Sequence, residues 1–162
     1  MANSDVTVRW ATPSDGAALL KLVEALADYE KLDPPAPAAQ DRLLRDTFGE
    51  APRIEILLGE LNGTSAGYAI ILETYSSFLA LPTLLLEDLF VLPEYRKRRV
   101  GYELFKRCVQ EAQARGCGRM EWMTLDWNHP AHRFWKRLGA RQLSKWLPYR
   151  LTREQFGSVL NR

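Results

Sequence analysis

Residues 84–102 read LLLEDLFVLPEYRKRRVGY, and their reading decides the fold. Residues 84–91 form an apolar run broken only by Glu87 and Asp88. A run of this length between Pro82 and Pro93 predicts a central strand better than a helix. Carboxylates inside such a strand are costly unless they face a cleft or each other. Simple strand alternation puts Glu87 and Asp88 on opposite faces, so only one would face a given cleft. Then come Arg96, Lys97, Arg98 and Arg99, followed by Gly101. Val100, Leu104, Cys108 and Ala112 fall at helical spacing from there. A helix start offers unpaired N–H groups and the positive end of the dipole, and the adjacent cations make phosphate the natural anion. The plainer alternatives are a solvated charge run or an RNA-touching patch for the basic loop, and an ion pair or a bulge for the acids. No Gly-Lys-Ser/Thr phosphate loop occurs, which argues against nucleotide hydrolysis.

Upstream, residues 6–10 alternate and predict a first strand. Thr12 as cap, Pro13 and Asp15 predict a helix start. That helix carries Leu19, Leu22, Val23 and Leu26 on one face and ends near Lys31. Tyr29 and Glu30 lie on its last turn, and on spacing alone they are helix surface. Pro34, Pro35 and Pro37 mark a loop before a second helix over about residues 38–48. Strands over 53–61 and 65–74 meet at Asn62-Gly63, a strong hairpin signal, and 75–82 reads as a loop. Downstream, the helix ends near Gly116 and a strand is expected over 119–126. Trp127-Asn128-His129-Pro130 leads into a short helix with Ala131, Phe134, Trp135 and Leu138 in register, stopped by Gly139. By spacing alone Asn128 is an N-cap, and Trp135 a core or interface residue. A strand over 141–151 and a terminal helix capped by Thr152 complete the chain. Hairpins early and strand–helix–strand units late predict an α/β (α+β) fold, a mixed sheet of about six to seven strands with helices on both faces.

With 162 residues and 46% hydrophobic content, a single domain with one core is expected. The net charge of +2 is too small to suggest a nucleic-acid partner, and the positive charge is local. No apolar run is long enough to span a membrane and no signal segment is evident, so a cytoplasmic protein with no membrane partner is expected. Cys108 and Cys117 read as free thiols, and no metal-ligand spacing is present.

These features, in this order, resemble the GNAT N-acetyltransferase superfamily over nearly the whole chain. The family's Arg/Gln-x-x-Gly-x-Gly/Ala motif reads here Arg96-Lys97-Arg98-Arg99-Val100-Gly101, with Arg99 where Gly is usual. Within the superfamily the chain is most similar to diamine (spermidine/spermine) and thialysine acetyltransferases. Leu26-Ala27-Asp28-Tyr29-Glu30, Leu86-Glu87-Asp88-Leu89-Phe90-Val91, Trp127-Asn128-His129-Pro130 and Phe134-Trp135-Lys136-Arg137-Leu138-Gly139-Ala140 carry that likeness.

The resemblance implies a centrally splayed sheet and acetyl-CoA as cosubstrate. It implies that Leu89, Phe90 and Val91 pair with the pantetheine arm. Lys97, Arg98, Arg99, Val100, Gly101 and Tyr102 would hold the phosphates, with Arg96, Asn128 and Ala131 as further cofactor-binding residues. Tyr29, Glu30, Asp88, Glu121, Trp122 and Met123 would line the amine site. Glu87 is the implied base and the N–H near Phe90 the oxyanion donor. Trp135 stands where the family has the Tyr that protonates the departing thiolate, and an indole cannot serve as a titrating acid. The expected activity is direct acetyl transfer to the primary amine of a small cationic acceptor, polyamine- or thialysine-like. The alternatives are a protein lysine or an amino acid as acceptor, and a weakly active or non-catalytic acyl-CoA-binding domain. The relatives are commonly homodimers, with Trp146 of the last strand as a candidate contact.

Overall fold

A computed structural model describes residues 5–161. One compact unit runs to Met123 and a second begins at Thr124. Among the described residues no helix is long and apolar enough to cross a membrane.

The first unit is built on a sheet of five strands in the order β1-β2-β3-β4-β5. These are β1 (Val6–Trp10), β2 (Glu55–Leu61), β3 (Thr64–Ser76), β4 (Leu81–Val91) and β5 (Arg119–Glu121). Neighbours are antiparallel except β4 and β5, which are parallel, so the sheet is mixed as expected. The helices of this unit are α1 (Gly16–Glu30), α2 (Pro37–Phe48) and α3 (Val100–Ala114). Thr12 and Asp15 close the short turn that leads into α1 reciprocally: the Thr12 N–H and hydroxyl donate to Asp15 Oδ2 at 2.7 and 3.0 Å, and the Asp15 N–H donates to the Thr12 carbonyl at 2.9 Å. At the β2–β3 hairpin Asn62 and Gly63 both take positive φ, 51° and 78°, which a two-residue hairpin turn requires.

The two faces of the sheet carry different helices. Leu19 and Leu22 of α1 pack with Ile56, Leu58, Tyr68, Ile70 and Phe90. Gly59, next along β2 and so on the other face, lies under α3: a Cβ there would sit 2.9 Å from Val100 and 3.0 Å from Leu104. Helices therefore cover both faces.

Four expectations are corrected. The sheet has five strands, not six or seven. The expected loop at 75–82 shrinks to a turn, because β3 continues to Ser76 and β4 begins at Leu81. Pro82 is tolerated as the second residue of β4, and its carbonyl accepts the Gly118 N–H at 2.9 Å. The strand expected over 119–126 stops at Glu121, since β4 bulges just beyond its last paired residue and no longer offers a straight edge. Residues 141–151 form no strand. Among its described residues the second unit contains α4 (His129–Arg137) and α5 (Arg153–Leu160) but no strand to satisfy another strand's backbone. Cys108 and Cys117 are free, and burial pushes the Cys108 thiol up to about 12.

Candidate functional site

The site begins with one extra residue in β4. Asp88 lies opposite Ile70, but the next residue of β3, Ile71, lies opposite Leu86. Glu87 is therefore the inserted residue of a β-bulge, and strict alternation fails there. The expectation that Glu87 and Asp88 point to opposite faces as neighbours in a regular strand does not hold. Glu87 is exposed, whereas Asp88 is half-buried on the α1 face with its cross-strand partner Ile70.

Downstream of the bulge the ladder is regular, and its parity fixes which backbone groups are open. The Leu92 N–H donates to the Ala66 carbonyl at 2.9 Å, and Tyr68 lies opposite Phe90. In an antiparallel ladder alternate residues turn both N–H and C=O toward the same neighbour. Phe90 and Leu92 thus face β3, while Leu89 and Val91 face away from it. On that other side β5 pairs only with Thr83, Leu84 and Leu85. Leu89 and Val91 consequently present an open edge. Of the strand N–H groups near Phe90, where an oxyanion donor is expected, that of Phe90 itself faces β3, and the open N–H nearest the bulge is that of Leu89.

An acidic group occupies the α1 face beside this edge. The Tyr68 hydroxyl donates to Asp88 Oδ2 at 3.0 Å. Burial, reinforced by the charges of Glu87 and Glu30, pushes Asp88 up to about 6, against the opposing Tyr68 hydrogen bond. Burial likewise raises Glu30, and Tyr68 is held above the ordinary phenol range by burial and by Asp88. Tyr29 and Phe90 stand with ring centroids 6.1 Å apart. The structure thus brings together Tyr29, Glu30, Asp88 and Phe90. It adds Tyr68, which no motif singles out. The only sequence signal for Tyr68 is that a phenol among the Ala and Ile of a buried strand must find a partner. Glu121 and Trp122 are engaged elsewhere: Glu121 pairs with Arg119 at 2.9 Å, and the Trp122 ring meets Phe105 of α3 edge-on at 5.4 Å. Met123 is exposed.

The basic loop leaves β4 through a short turn, Pro93–Tyr95, and enters α3. Lys97 and Arg99 adopt positive φ, 62° and 69°, and Arg99 is the N-cap. This is the conformation a glycine would take without strain. The first hydrogen bond inside α3 runs from the Glu103 N–H to the Arg99 carbonyl at 2.9 Å. The amides of Val100, Gly101 and Tyr102 therefore have no acceptor within the helix. Lys97, Arg98 and Arg99 are exposed around them, and Arg99 reaches Glu103 at 3.3 Å and the Tyr102 ring at 5.0 Å. Donors, a helix dipole and cations at one point suit a pyrophosphate.

In the second unit Asn128 caps α4, its Oδ1 accepting the Ala131 N–H at 3.3 Å. The Trp135 indole N–H donates to Thr124 Oγ1 at 3.0 Å, and its ring meets Phe134 at 4.9 Å.

Comparison with known proteins gives these features a context. The profile described as the acetyltransferase (GNAT) family matches residues 19–140. The chain is 31% identical to thialysine N-epsilon-acetyltransferase of Sus scrofa over 150 residues, covering 88% of each chain. Among solved structures it resembles an integron cassette protein from V. cholerae, with a TM-score of 0.79 at 18% identity, covering 97% of this chain and 98% of that one. It also resembles aminoglycoside N-acetyltransferase AAC(6')-Iy in complex with CoA, with a TM-score of 0.68 at 21% identity, covering 91% and 95%.

Proposed function

Because the chain belongs to the acetyltransferase (GNAT) family, we propose that it moves acetyl from acetyl-CoA to the primary amine of a small cationic acceptor, thialysine- or polyamine-like, by direct attack. The observation that carries this reading is the order of features along one strand. Acids stand at the bulge, an open edge follows at Leu89 and Val91, and the donor-rich start of α3 comes next. The family match runs across the division at Thr124, and the reading takes the chain as one catalytic domain.

In this reading the amide-bearing arm of acetyl-CoA adds to the open edge as a strand would. Its phosphates are held by residues 97–102, through the unpaired amides at the start of α3 and the surrounding cations. An alkyl amine carries a proton at neutral pH, since its pKa is about 10, and must lose it before attack. Glu87, exposed at the bulge, takes that proton through water. The amine nitrogen then bonds the acetyl carbon and the thioester C–S bond breaks. Charge on the carbonyl oxygen is met by the Leu89 N–H, the first open donor after the bulge. Asp88 and Glu30 hold a second cationic group of the acceptor, which suits a lysine-like or polyamine chain. The nitrogen sheds its second proton to water as the amide forms, and water passes a proton on to the departing thiolate, because Trp135 has no titrating proton and already donates its N–H to Thr124.

A homodimer is part of the proposal. Its support is apolar side chains such as Trp146, Leu147 and Tyr149, exposed at 77%, 70% and 96% in the second unit. Sedimentation at two protein concentrations tests it.

The activity is tested by calorimetry with acetyl-CoA, then by thiol release with thialysine, lysine, ornithine, spermidine and a lysine-containing peptide. Turnover on a small amine, lost in Glu87→Gln, is expected. Acetyl-CoA binding with no turnover on any amine would favour a non-catalytic acyl-CoA-binding domain. Faster turnover on the peptide would move the acceptor to protein lysine.

A further inference from the structure

Arg96 differs from the three cations that follow it. Lys97, Arg98 and Arg99 are exposed, whereas Arg96 is half-buried and folds back along the chain. Its Nε donates to the Val91 carbonyl at 2.9 Å. Its Cζ lies 4.6 Å from the centroid of the Tyr29 ring and 5.6 Å from that of Phe90. The guanidinium is thus stacked on one ring from α1 and one from β4, with an edge hydrogen bond into the strand. Only a planar cation with a donor in its stem fits all of these contacts, which a lysine ammonium does not match.

We propose that Arg96 is a positioning residue that closes the open edge of β4 at Val91 and ties the basic loop to the end of α1, and that it is not a phosphate ligand. This rests on the acetyl-CoA reading above for its functional consequence, but the contacts themselves do not. Two effects follow from the geometry. First, the Val91 carbonyl is taken, so an arm adding to the edge can use only the N–H and C=O of Leu89 and the N–H of Val91. Strand addition must end there, where the chain turns toward α3. Second, Tyr29 sits in the acidic group of the acceptor side while Arg96 sits at the base of the anion loop. Any change in the loop's anchorage is felt at Tyr29, so Arg96 couples acceptor affinity to cofactor binding without touching either ligand.

The test compares Arg96→Ala and Arg96→Lys with Arg98→Ala. Calorimetry with CoA and with pantetheine, which lacks the phosphates, separates the roles. A positioning role predicts that Arg96→Ala weakens both ligands by the same factor, leaving their ratio within about twofold, with KM for the amine raised about fivefold or more. Arg96→Lys should behave like Arg96→Ala. Arg98→Ala should lower CoA affinity alone. Selective loss of CoA affinity in Arg96→Ala, or a wild-type Arg96→Lys, would overturn the proposal.

If the wild-type protein binds neither CoA nor pantetheine, the acetyl-CoA reading fails, and the clasp is still read without ligand. A urea-unfolding cycle of Arg96→Ala and Tyr29→Leu, the latter keeping an apolar side chain to preserve folding, should show about fivefold non-additivity in the unfolding equilibrium constant. Additive effects in that cycle would refute the contact.

Discussion

The two halves of β4 have the same neighbour on one side and opposite fates on the other. From Thr83 to Leu86 the strand is buried or nearly so, paired with β3 throughout and with β5 through Leu85. From Glu87 to Val91 it keeps β3 but has lost β5, gained a bulge, and carries both of its acids. The first half holds the sheet together; the second has backbone and carboxylate groups left for a ligand. The contrast teaches that the site arises where the sheet stops completing itself, and that one inserted residue separates scaffold from chemistry.

Substitutions in each half should therefore fail differently. The largest effect is expected in the closed half. Leu84 is fully buried, 0% exposed, and Leu84→Ala should cost about 3 kcal/mol in urea unfolding while the folded fraction keeps its turnover number. A large loss of kcat with unchanged stability would erase the distinction between the halves.

Next is Glu87→Gln, which should lower kcat/KM for the best amine about a hundredfold and leave the urea midpoint nearly unmoved, because the side chain is exposed. Unchanged kcat/KM across the range where the amine titrates would remove Glu87 from the base role.

Asp88 sharpens the comparison through pH. Its folded-state value, about 6, lies above the ordinary 3.8, so between these values the folded protein binds more of the proton than the unfolded chain does. Stability contributed by the protonated acid is present below about 4 and is lost as pH rises through about 6. Asp88→Asn should therefore be more stable than wild type at pH 7.5, by roughly 2 kcal/mol, with the advantage vanishing near pH 4. Acceptor binding should run the other way, weakening in wild type as pH falls below about 6 and losing that dependence in Asp88→Asn.

The smallest effect belongs to Arg99. Left-handed backbone costs a non-glycine residue about 1–2 kcal/mol, while glycine gives back about 0.4–1 through the unfolded chain and forfeits a few tenths from the Glu103 pair. Arg99→Gly should thus stabilise by about 0.5 kcal/mol, seen as a small rise in Tm. A drop instead would show that the Glu103 and Tyr102 contacts outweigh the strain.

Much of this was legible in residue order. The apolar run at 84–91, the Asn62-Gly63 turn and the helical spacing from Val100 each rest on local chemistry, and each became the expected element. The bulge was legible only as one alternative for the two acids, because Glu87 carries no glycine or other local mark; its register is set by Ile70 and Ile71 on another strand. The same dependence misled the reading of 119–126 and 141–151, whose alternation suits a strand but whose pairing needs an edge elsewhere. Arg96 counted as one cation of four, since composition records charge and not the direction a side chain takes. Asp88 was visible as an acid, but its raised value comes mainly from burial, against the hydrogen bond of Tyr68, twenty residues upstream on the neighbouring strand.

The inserted residue at position 87 has a further consequence for how such a sheet changes over generations. Deleting that single codon would bring Asp88 into step with Ile70 and Leu86 with Ile71 in an uninterrupted ladder. The straightened edge would then be free to carry its pairing with β5 on past Glu121, to residues 122 and 123. A loss of three nucleotides would turn an unpaired stretch of strand into a paired one, with no substitution at any other position.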